Sequence, residues 1–136
     1  MNRTLVICKP DAVERGLVGA ILGRLERKGL RVVAAELRVI DPDVAELHYA
    51  EHRERSFFDT LVKFISRSPA LVMVVEGPED TWRVVRGLMG ATNPADAAPG
   101  TIRGDFATET TENLVHGSDG ADSAAREIAL FFPDLR

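Results

Sequence analysis

Apolar residues recur along the chain with periods that predict strands and helices in alternation. Residues 4–8 form an apolar run that ends before Pro10, because proline keeps the preceding residue out of the helical region. From Val18 the apolar positions follow helical spacing up to Gly29. The opening of the chain therefore predicts a strand followed by a helix.

Residues 30–40 and 70–76 predict two further strands. In the first of these, apolar and polar residues alternate, which predicts one face on the core and one face in solvent. The residues predicted to face the core are Val33, Ala35, Leu37 and Val39. Residues 70–76 are almost entirely apolar, as in a strand buried at the centre of a sheet.

Helices are predicted between these strands and after them. Residues 41–43 mark the start of one helix, residues 54–65 form a second, and a third follows Pro78. Residues 90–113 are rich in Gly, Pro, Thr and Asn, and a connection of that length is usually functional or disordered. A short strand, "NLV", and a last helix that stops at Pro133 complete the pattern.

This order of elements predicts an α+β protein with a single domain over residues 1–136. The arrangement that fits is ferredoxin-like (split βαβ): an antiparallel four-stranded sheet with helices packed on it and extra helical insertions. A doubly wound parallel sheet is the competing topology, and periodicity alone leaves both open.

Composition and charge narrow the classes of function. The chain has 17 Lys+Arg against 21 Asp+Glu, a net charge of −4, which argues against a non-specific nucleic-acid binder. Cys8 is the only cysteine, so no internal disulfide is expected. The apolar run near the N-terminus is too short for a signal peptide, and no stretch approaches a membrane span. A cytoplasmic protein without membrane contact is the expectation.

His116 is the strongest candidate for chemistry. It follows a short strand, and Gly117 after it permits a tight turn or a close approach to a ligand. Ser118 and Asp119 are placed to cap the last helix, whose N-terminal dipole favours anions, and a neutral imidazole there is a competent nucleophile. The alternative is a histidine that merely packs at the end of a strand.

Other motifs are absent or weaker. The sequence has no P-loop, no dinucleotide-binding glycine motif, no zinc-type cysteine pairs and no H-E-x-x-H helix. His48 and His52 lie four residues apart and could pair on a metal, but solvated helix residues are the favoured interpretation. Of two adjacent phenylalanines, Phe58 fits the core face, which leaves Phe57 free as a platform for a ring.

Three segments together resemble the nucleoside diphosphate kinase family, in the right order across nearly the whole chain. They are "TLVICKPDAVERGLVGAILGRLERKGL", "TNPADAAPGTIRGDFA" and "NLVHGSD". The resemblance implies transfer of the γ-phosphate of a nucleoside triphosphate, mainly ATP, to nucleoside diphosphates by a ping-pong mechanism through a phosphohistidine on His116. Glu127 then matches the carboxylate that orients His116.

The resemblance also implies the residues that bind the nucleotide. Those that match cations around the phosphates are Lys9, Arg55, Arg86 and Arg103. Thr92 matches a hydroxyl donor to a phosphate, and Tyr49 matches a hydrogen-bonding neighbour of the histidine. Phe57 matches the aromatic residue that stacks on the base, and Asn113 a residue near the sugar.

Cofactor and assembly follow from the same resemblance. Mg²⁺ is expected to travel with the nucleotide phosphates, so that no metal ligand is expected from protein side chains. A homo-oligomer is expected, with a hexamer favoured and a tetramer possible, and no specific nucleic acid is expected as a partner. The chain departs from the family at Ser56, where proline is common, and at Glu112, where a basic residue is common.

Two rival interpretations belong to different classes. A catalytically silent nucleotide-binding regulatory module would keep the same fold and lose turnover. An RNA-binding module on this sandwich needs aromatic residues on a central strand and a basic surface, and this sequence offers neither.

Overall fold

The computed structural model describes residues 2–136 and contains one antiparallel sheet. Its strands are β1 (Asn2–Cys8), β2 (Arg31–Arg38), β3 (Ala70–Gly77) and β4 (Val115–Gly117). They lie in the order β2-β3-β1-β4, with every neighbouring pair antiparallel. This order is that of the ferredoxin-like fold, which confirms the predicted fold class and rules out the parallel alternative.

Helices connect the strands and cover both faces of the sheet. They are α1 (Pro10–Glu14), α2 (Val18–Arg27), α3 (Pro42–His48), α4 (Phe58–Ser66), α5 (Thr81–Met89), α6 (Ile102–Phe106) and α7 (Ala121–Phe131), with 3-10 turns at Ala50–His52 and Pro94–Asp96. The sequence did not predict α1 or α6, because five residues are too few to display a helical period. The segment predicted to be irregular therefore contains a helix, whose first turn is capped by the hydroxyl of Thr101.

The alternation of side chains along β1 divides the core into two layers. Val6 and Cys8 face α2 and α5, whereas Leu5 and Ile7 face α3, α4 and α7. In β4, Val115 belongs to the first layer, so His116 points to the second. The pleat of a three-residue strand thus places His116 beside helices α3 and α7.

The prediction of which residues in and after β2 face the core is partly wrong. Leu37 is 60% exposed and Val39 is 58% exposed, and Ala35 is exposed as well. β2 lies at the edge of the sheet, and a bulge between Val32 and Ala34 shifts its register against β3. The simple alternation therefore does not carry these side chains into the core. Within residues 2–136 no helix has the length and apolar character needed to cross a membrane.

Gly104 in α6 provides a test of how tightly the segment before β4 is packed. A Cβ atom at this position would overlap the carbonyl oxygen of Ala98, which already accepts hydrogen bonds from Thr101. We expect Gly104→Ala to lower the free energy of unfolding by about 1–3 kcal/mol, measured by urea denaturation.

Gly87 provides the matched control because it is exposed in α5 and a Cβ there meets nothing within 4 Å. Gly87→Ala should raise the free energy of unfolding by roughly 0.5–1 kcal/mol, since alanine is the better helix former. Equal effects of the two substitutions would contradict the packing described for α6.

Candidate active site

His116 is held in place by a buried carboxylate, that of Glu127. Its Nε2 lies 2.8 Å from Oε1 of Glu127, which projects from α7 and is 4% exposed. The hydroxyl of Ser118 donates to the same oxygen at 2.6 Å and accepts from the backbone N–H of Leu5. Ser118 was predicted to cap α7, but it instead ties Glu127 to strand β1.

This arrangement selects one tautomer of His116. An ionised carboxylate only accepts hydrogen bonds, so Nε2 carries the proton and the lone pair of a neutral ring lies on Nδ1. Burial alone would raise the pKa of Glu127, but the hydrogen bond and charge of His116, together with Ser118, hold it below its usual value. Glu127 therefore stays ionised, and Nδ1 is the nitrogen available to act as a nucleophile.

His48 packs directly against His116, and the prediction that it is solvated was wrong. It is 3% exposed, and the two ring centroids lie 4.5 Å apart in an edge-to-face arrangement. Neither ring nitrogen of His48 has a hydrogen-bond partner, and burial lowers its pKa well below the usual value. Ala45, which is buried one turn earlier in α3, is the sequence signal that could have placed His48 on the core face.

Tyr49 and His52 follow His48 and line the same cavity of about 200 Å³ that His116 borders. The hydroxyl of Tyr49 is buried without a hydrogen-bond partner, and burial raises its pKa, so it remains protonated near neutral pH. Tyr49 is thus near His116 but not bonded to it. His52 is only half-buried and does not belong to the compact group formed by His48, His116 and Glu127.

Three cations line this cavity: Lys9, Arg86 and Arg103. Arg103 is 4% exposed and donates to the carbonyl oxygens of Gly90, Asn113 and Val115. Burial, followed by the charge of Arg86, lowers the pKa of Arg103 to about 10, which leaves it charged at neutral pH. Arg86 donates to the carbonyl oxygen of Gly117, so both guanidinium groups are oriented by the backbone of β4 and its flanks.

Lys9 is also buried, and it belongs to a chain of polar groups. Its Nζ donates to Oδ1 of Asn113 at 2.9 Å, and Nδ2 of Asn113 donates to the carbonyl oxygen of Thr92. Burial and the charge of Arg103 lower the pKa of Lys9 to about 8, against a weaker opposing effect of Asp11. The positive charge of Lys9 is therefore energetically unfavourable in this cavity unless an anion binds beside it.

The turn that precedes β4 is strained. Leu114 is fully buried with φ +76°, a conformation that side chains with a Cβ rarely adopt. The backbone N–H of Leu114 donates to Oδ2 of Asp11, and its carbonyl oxygen accepts from the N–H of Lys9. These bonds fix the strained residue between Asn113 and β4. The role of Asp11 was not predicted, because no local pattern indicates it.

Phe57 lies in an adjoining cavity of about 430 Å³. It is 44% exposed at the start of α4, while Phe58 is buried, as the sequence predicted. Lys9, Thr92 and Asn113 line both cavities, so the two spaces are neighbours. Arg55 is exposed and lines neither cavity, so it is the one predicted site residue that the structure does not bring to the others.

Comparison with known proteins agrees over the full length of the described chain. The sequence profile of the family described as "Nucleoside diphosphate kinase" matches residues 2–136. The chain is 56% identical over 134 residues to a nucleoside diphosphate kinase of Parafrankia sp., covering 98% of this chain and 97% of that protein. It is 58% identical to one of Archaeoglobus fulgidus, covering 98% and 88%.

The chain belongs to the nucleoside diphosphate kinase family. A solved nucleoside diphosphate kinase of Halobacterium salinarum, in complex with CDP, superimposes with a TM-score of 0.94 at 54% identity and covers 98% of this chain and 88% of that chain. A family protein from Babesia bovis gives a TM-score of 0.93 at 48% identity, covering 97% and 88%. The resemblance inferred from the sequence is therefore confirmed.

Glu112, which stands where a basic residue is common in the family, forms an ion pair with Arg67. Oε1 of Glu112 accepts from Arg67, whose guanidinium also binds Glu14 and lies 4.8 Å from the ring of Phe64. The negative charge is thus paired on the surface rather than directed into the cavity. Ser56 is exposed, and nothing in its surroundings explains the loss of proline.

The depressed pKa of Lys9 predicts a pH dependence of stability. Its folded pKa of about 8 lies below the ordinary 10.5, so between these values the unfolded chain binds more protons. Stability should therefore rise with pH across this window, by on the order of 1–3 kcal/mol. Urea unfolding of the wild type and Lys9→Met at pH 7.5 and 9.5 measures this, and the variant should lack the rise.

Lys63→Met serves as the control because Lys63 is exposed on α4. It should retain the rise with pH. A wild-type protein whose stability changes no more than that of Lys9→Met would show that burial does not depress the pKa of Lys9.

Proposed function

We propose that this chain is a nucleoside diphosphate kinase, which transfers the γ-phosphate of a nucleoside triphosphate, mainly ATP, to nucleoside diphosphates. Family membership over residues 2–136 supports the activity. The observation that carries the mechanism is the 2.8 Å contact between Nε2 of His116 and Glu127. It leaves Nδ1 as the nucleophile beside a cavity lined by cations.

The proposed reaction has two symmetrical halves. The lone pair on Nδ1 of His116 attacks the γ-phosphorus, and the bond between that phosphorus and the bridging oxygen of the β-phosphate breaks. The nucleoside diphosphate leaves, and a terminal phosphate oxygen of the acceptor then attacks the phosphorus and breaks the P–N bond. Glu127 stabilises the positive charge that the ring acquires in each half.

Most of the catalysis is proposed to be positioning and electrostatics, as expected for a loose phosphoryl-transfer state. The side chains proposed to hold the phosphates are Lys9, Arg55, Arg86, Thr92 and Arg103. Tyr49 is proposed as a hydrogen-bonding neighbour of the transferred group, which would give its unpartnered hydroxyl a bond. Arg55, which is exposed, would have to move toward the nucleotide to take part.

Base and sugar are assigned to the adjoining cavity. Phe57 is proposed to stack on the base, and Asn113 to lie near the sugar while it also fixes Lys9. Stacking reads the face of a base rather than its edge, so it tolerates every base. This accounts for an enzyme that accepts nucleoside diphosphates broadly.

Mg²⁺ fits this site as a part of the substrate. Within residues 2–136, the compact group of potential metal ligands contains two imidazoles and one carboxylate, whereas Mg²⁺ prefers oxygen ligands in octahedral geometry. We therefore propose that phosphate oxygens of the nucleotide would hold the ion, and that Glu51 and Asp119, which line the cavity, would accept hydrogen bonds from water bound to it. When bound, it neutralises phosphate charge.

We also propose an assembly and a cellular compartment. The exposed side chains of Leu37 on edge strand β2, of Val39 just after that strand, and of Leu47 on α3 suit a homo-oligomer. We favour a hexamer over a tetramer. A single buried free cysteine suits a cytoplasmic location. Residues 1–136 are proposed to act as one domain, without a nucleic-acid partner.

The phosphoenzyme is the direct test of this function. Purified protein mixed with γ-labelled ATP and Mg²⁺, without acceptor, should retain close to one label per chain. The label should be lost in acid, survive in base and leave on addition of GDP. His116→Ala should retain none, because the attacking nitrogen is gone.

A second outcome would favour the rival function. Wild-type protein that is folded and binds nucleotide, yet holds no label, would contradict the kinase mechanism. It would indicate a silent nucleotide-binding regulatory module of the same fold.

The role of Phe57 predicts a specific kinetic change. Stacking contributes about 1–3 kcal/mol per base, so Phe57→Ala should raise KM for nucleoside diphosphates about 5–150-fold and change kcat little. Phe57→Tyr should retain wild-type KM because it keeps the ring. Steady-state assays with GDP, CDP and UDP measure this, and a loss confined to one base would argue against stacking.

A further inference from the structure

We propose that His48, His116 and Glu127 form a binding site for a borderline transition-metal ion such as Zn²⁺, in competition with the phosphoryl group. One potential ligand atom from each of the three lies within 4.8 Å of the other two. They come from α3, β4 and α7, so the fold itself brings them together. Two imidazoles and one carboxylate are a donor set typical of zinc sites that keep an open position.

The unpartnered state of His48 is the second observation. Its two ring nitrogens are buried and without a hydrogen-bond partner, although the residue is only 3% exposed. A buried polar group without a partner is costly, and a neutral imidazole is the form that binds metal. His48 therefore offers a lone pair, beside His116, that no protein group uses.

The spacing of the three groups requires only side-chain adjustment. Zinc with bonds of 2.0–2.2 Å in tetrahedral geometry separates neighbouring ligand atoms by about 3.4 Å. Nε2 of His116 and Oε1 of Glu127 are 2.8 Å apart, so they would open slightly while His48 approached. A fourth ligand, water, would come from the cavity that all three residues line.

The charges around the cavity permit a cation. Its charged lining residues are three cations and three anions, so the formal charges cancel. These are Lys9, Arg86 and Arg103 against Glu51, Asp119 and Glu127. The lining as a whole therefore carries no net positive charge that would repel a divalent cation.

The consequence for catalysis rests on the proposed function. A metal ion can bind Nε2 of His116 only after this nitrogen has lost its proton, because the ion needs the nitrogen lone pair. The neutral ring keeps one proton, which now lies on Nδ1. The lone pair that Nδ1 would use to attack phosphorus is therefore lost. Bound zinc should therefore prevent phosphorylation of His116.

Metal binding can be measured on the nucleotide-free chain. Titration of the wild type with Co²⁺ should produce the visible absorption of a tetrahedral site, and Zn²⁺ should remove it. His48→Phe keeps a buried ring without nitrogen atoms and should weaken binding at least about 100-fold, since even loss of a group that only orients a ligand costs 10–100-fold. His52→Gln, outside the cluster, should bind as the wild type does.

A second measurement uses only the wild-type protein, so it does not depend on whether His48→Phe folds. In ¹H–¹⁵N spectra of the three histidine rings of the wild type, Zn²⁺ should shift the signals of His48 and His116 and leave those of His52 in place. Binding unaffected by His48→Phe, shifts confined to His52, or no cobalt absorption in the wild type would overturn the proposal. Because no nucleotide is present in these measurements, a failure to bind metal would not count against the proposed kinase activity.

Discussion

The candidate active site is organised by one partly buried hydrogen bond, between Nε2 of His116 and the buried carboxylate of Glu127. Ser118 donates to the same carboxylate oxygen and is itself bonded to the backbone of β1. A buried carboxylate is costly unless hydrogen-bonded, and these two donors make it tolerable. In return, the carboxylate fixes the proton on one ring nitrogen and leaves the other for chemistry.

The rest of the site follows from where the sheet places β4. Because Val115 points into one core layer and His116 into the other, a strand of three residues sets the histidine against α3 and α7. Arg103 donates to the carbonyl oxygens of Asn113, just before this strand, and of Val115, its first residue. The strained Leu114 is anchored by Asp11 and by the backbone N–H of Lys9. Buried cations and a strained turn both cost stability, which is typical of a functional site.

The sequence predicted those features that local pattern or motif specifies. Continuous apolar residues identified β3, and the segments around His116 and Arg103 identified the family. It misplaced Leu37 and Val39 because a bulge and an edge position are tertiary features. It missed the burial of His48 because the polar residues around the two histidines masked the one signal, the helical spacing between Ala45 and His48. The exposed position of Arg55, outside both cavities, was likewise invisible from the sequence.

We propose that Glu127 decides which nitrogen of His116 reacts, and the position of the phosphoryl group on the ring tests this role. Phosphorylated protein labelled with ¹⁵N in its histidines can be examined for ³¹P–¹⁵N coupling within the ring. Phosphorus is expected to be bonded to Nδ1, with Nε2 still facing Glu127. Phosphorus bonded to Nε2 would contradict it, because that nitrogen would have to abandon the carboxylate that holds the ring in place.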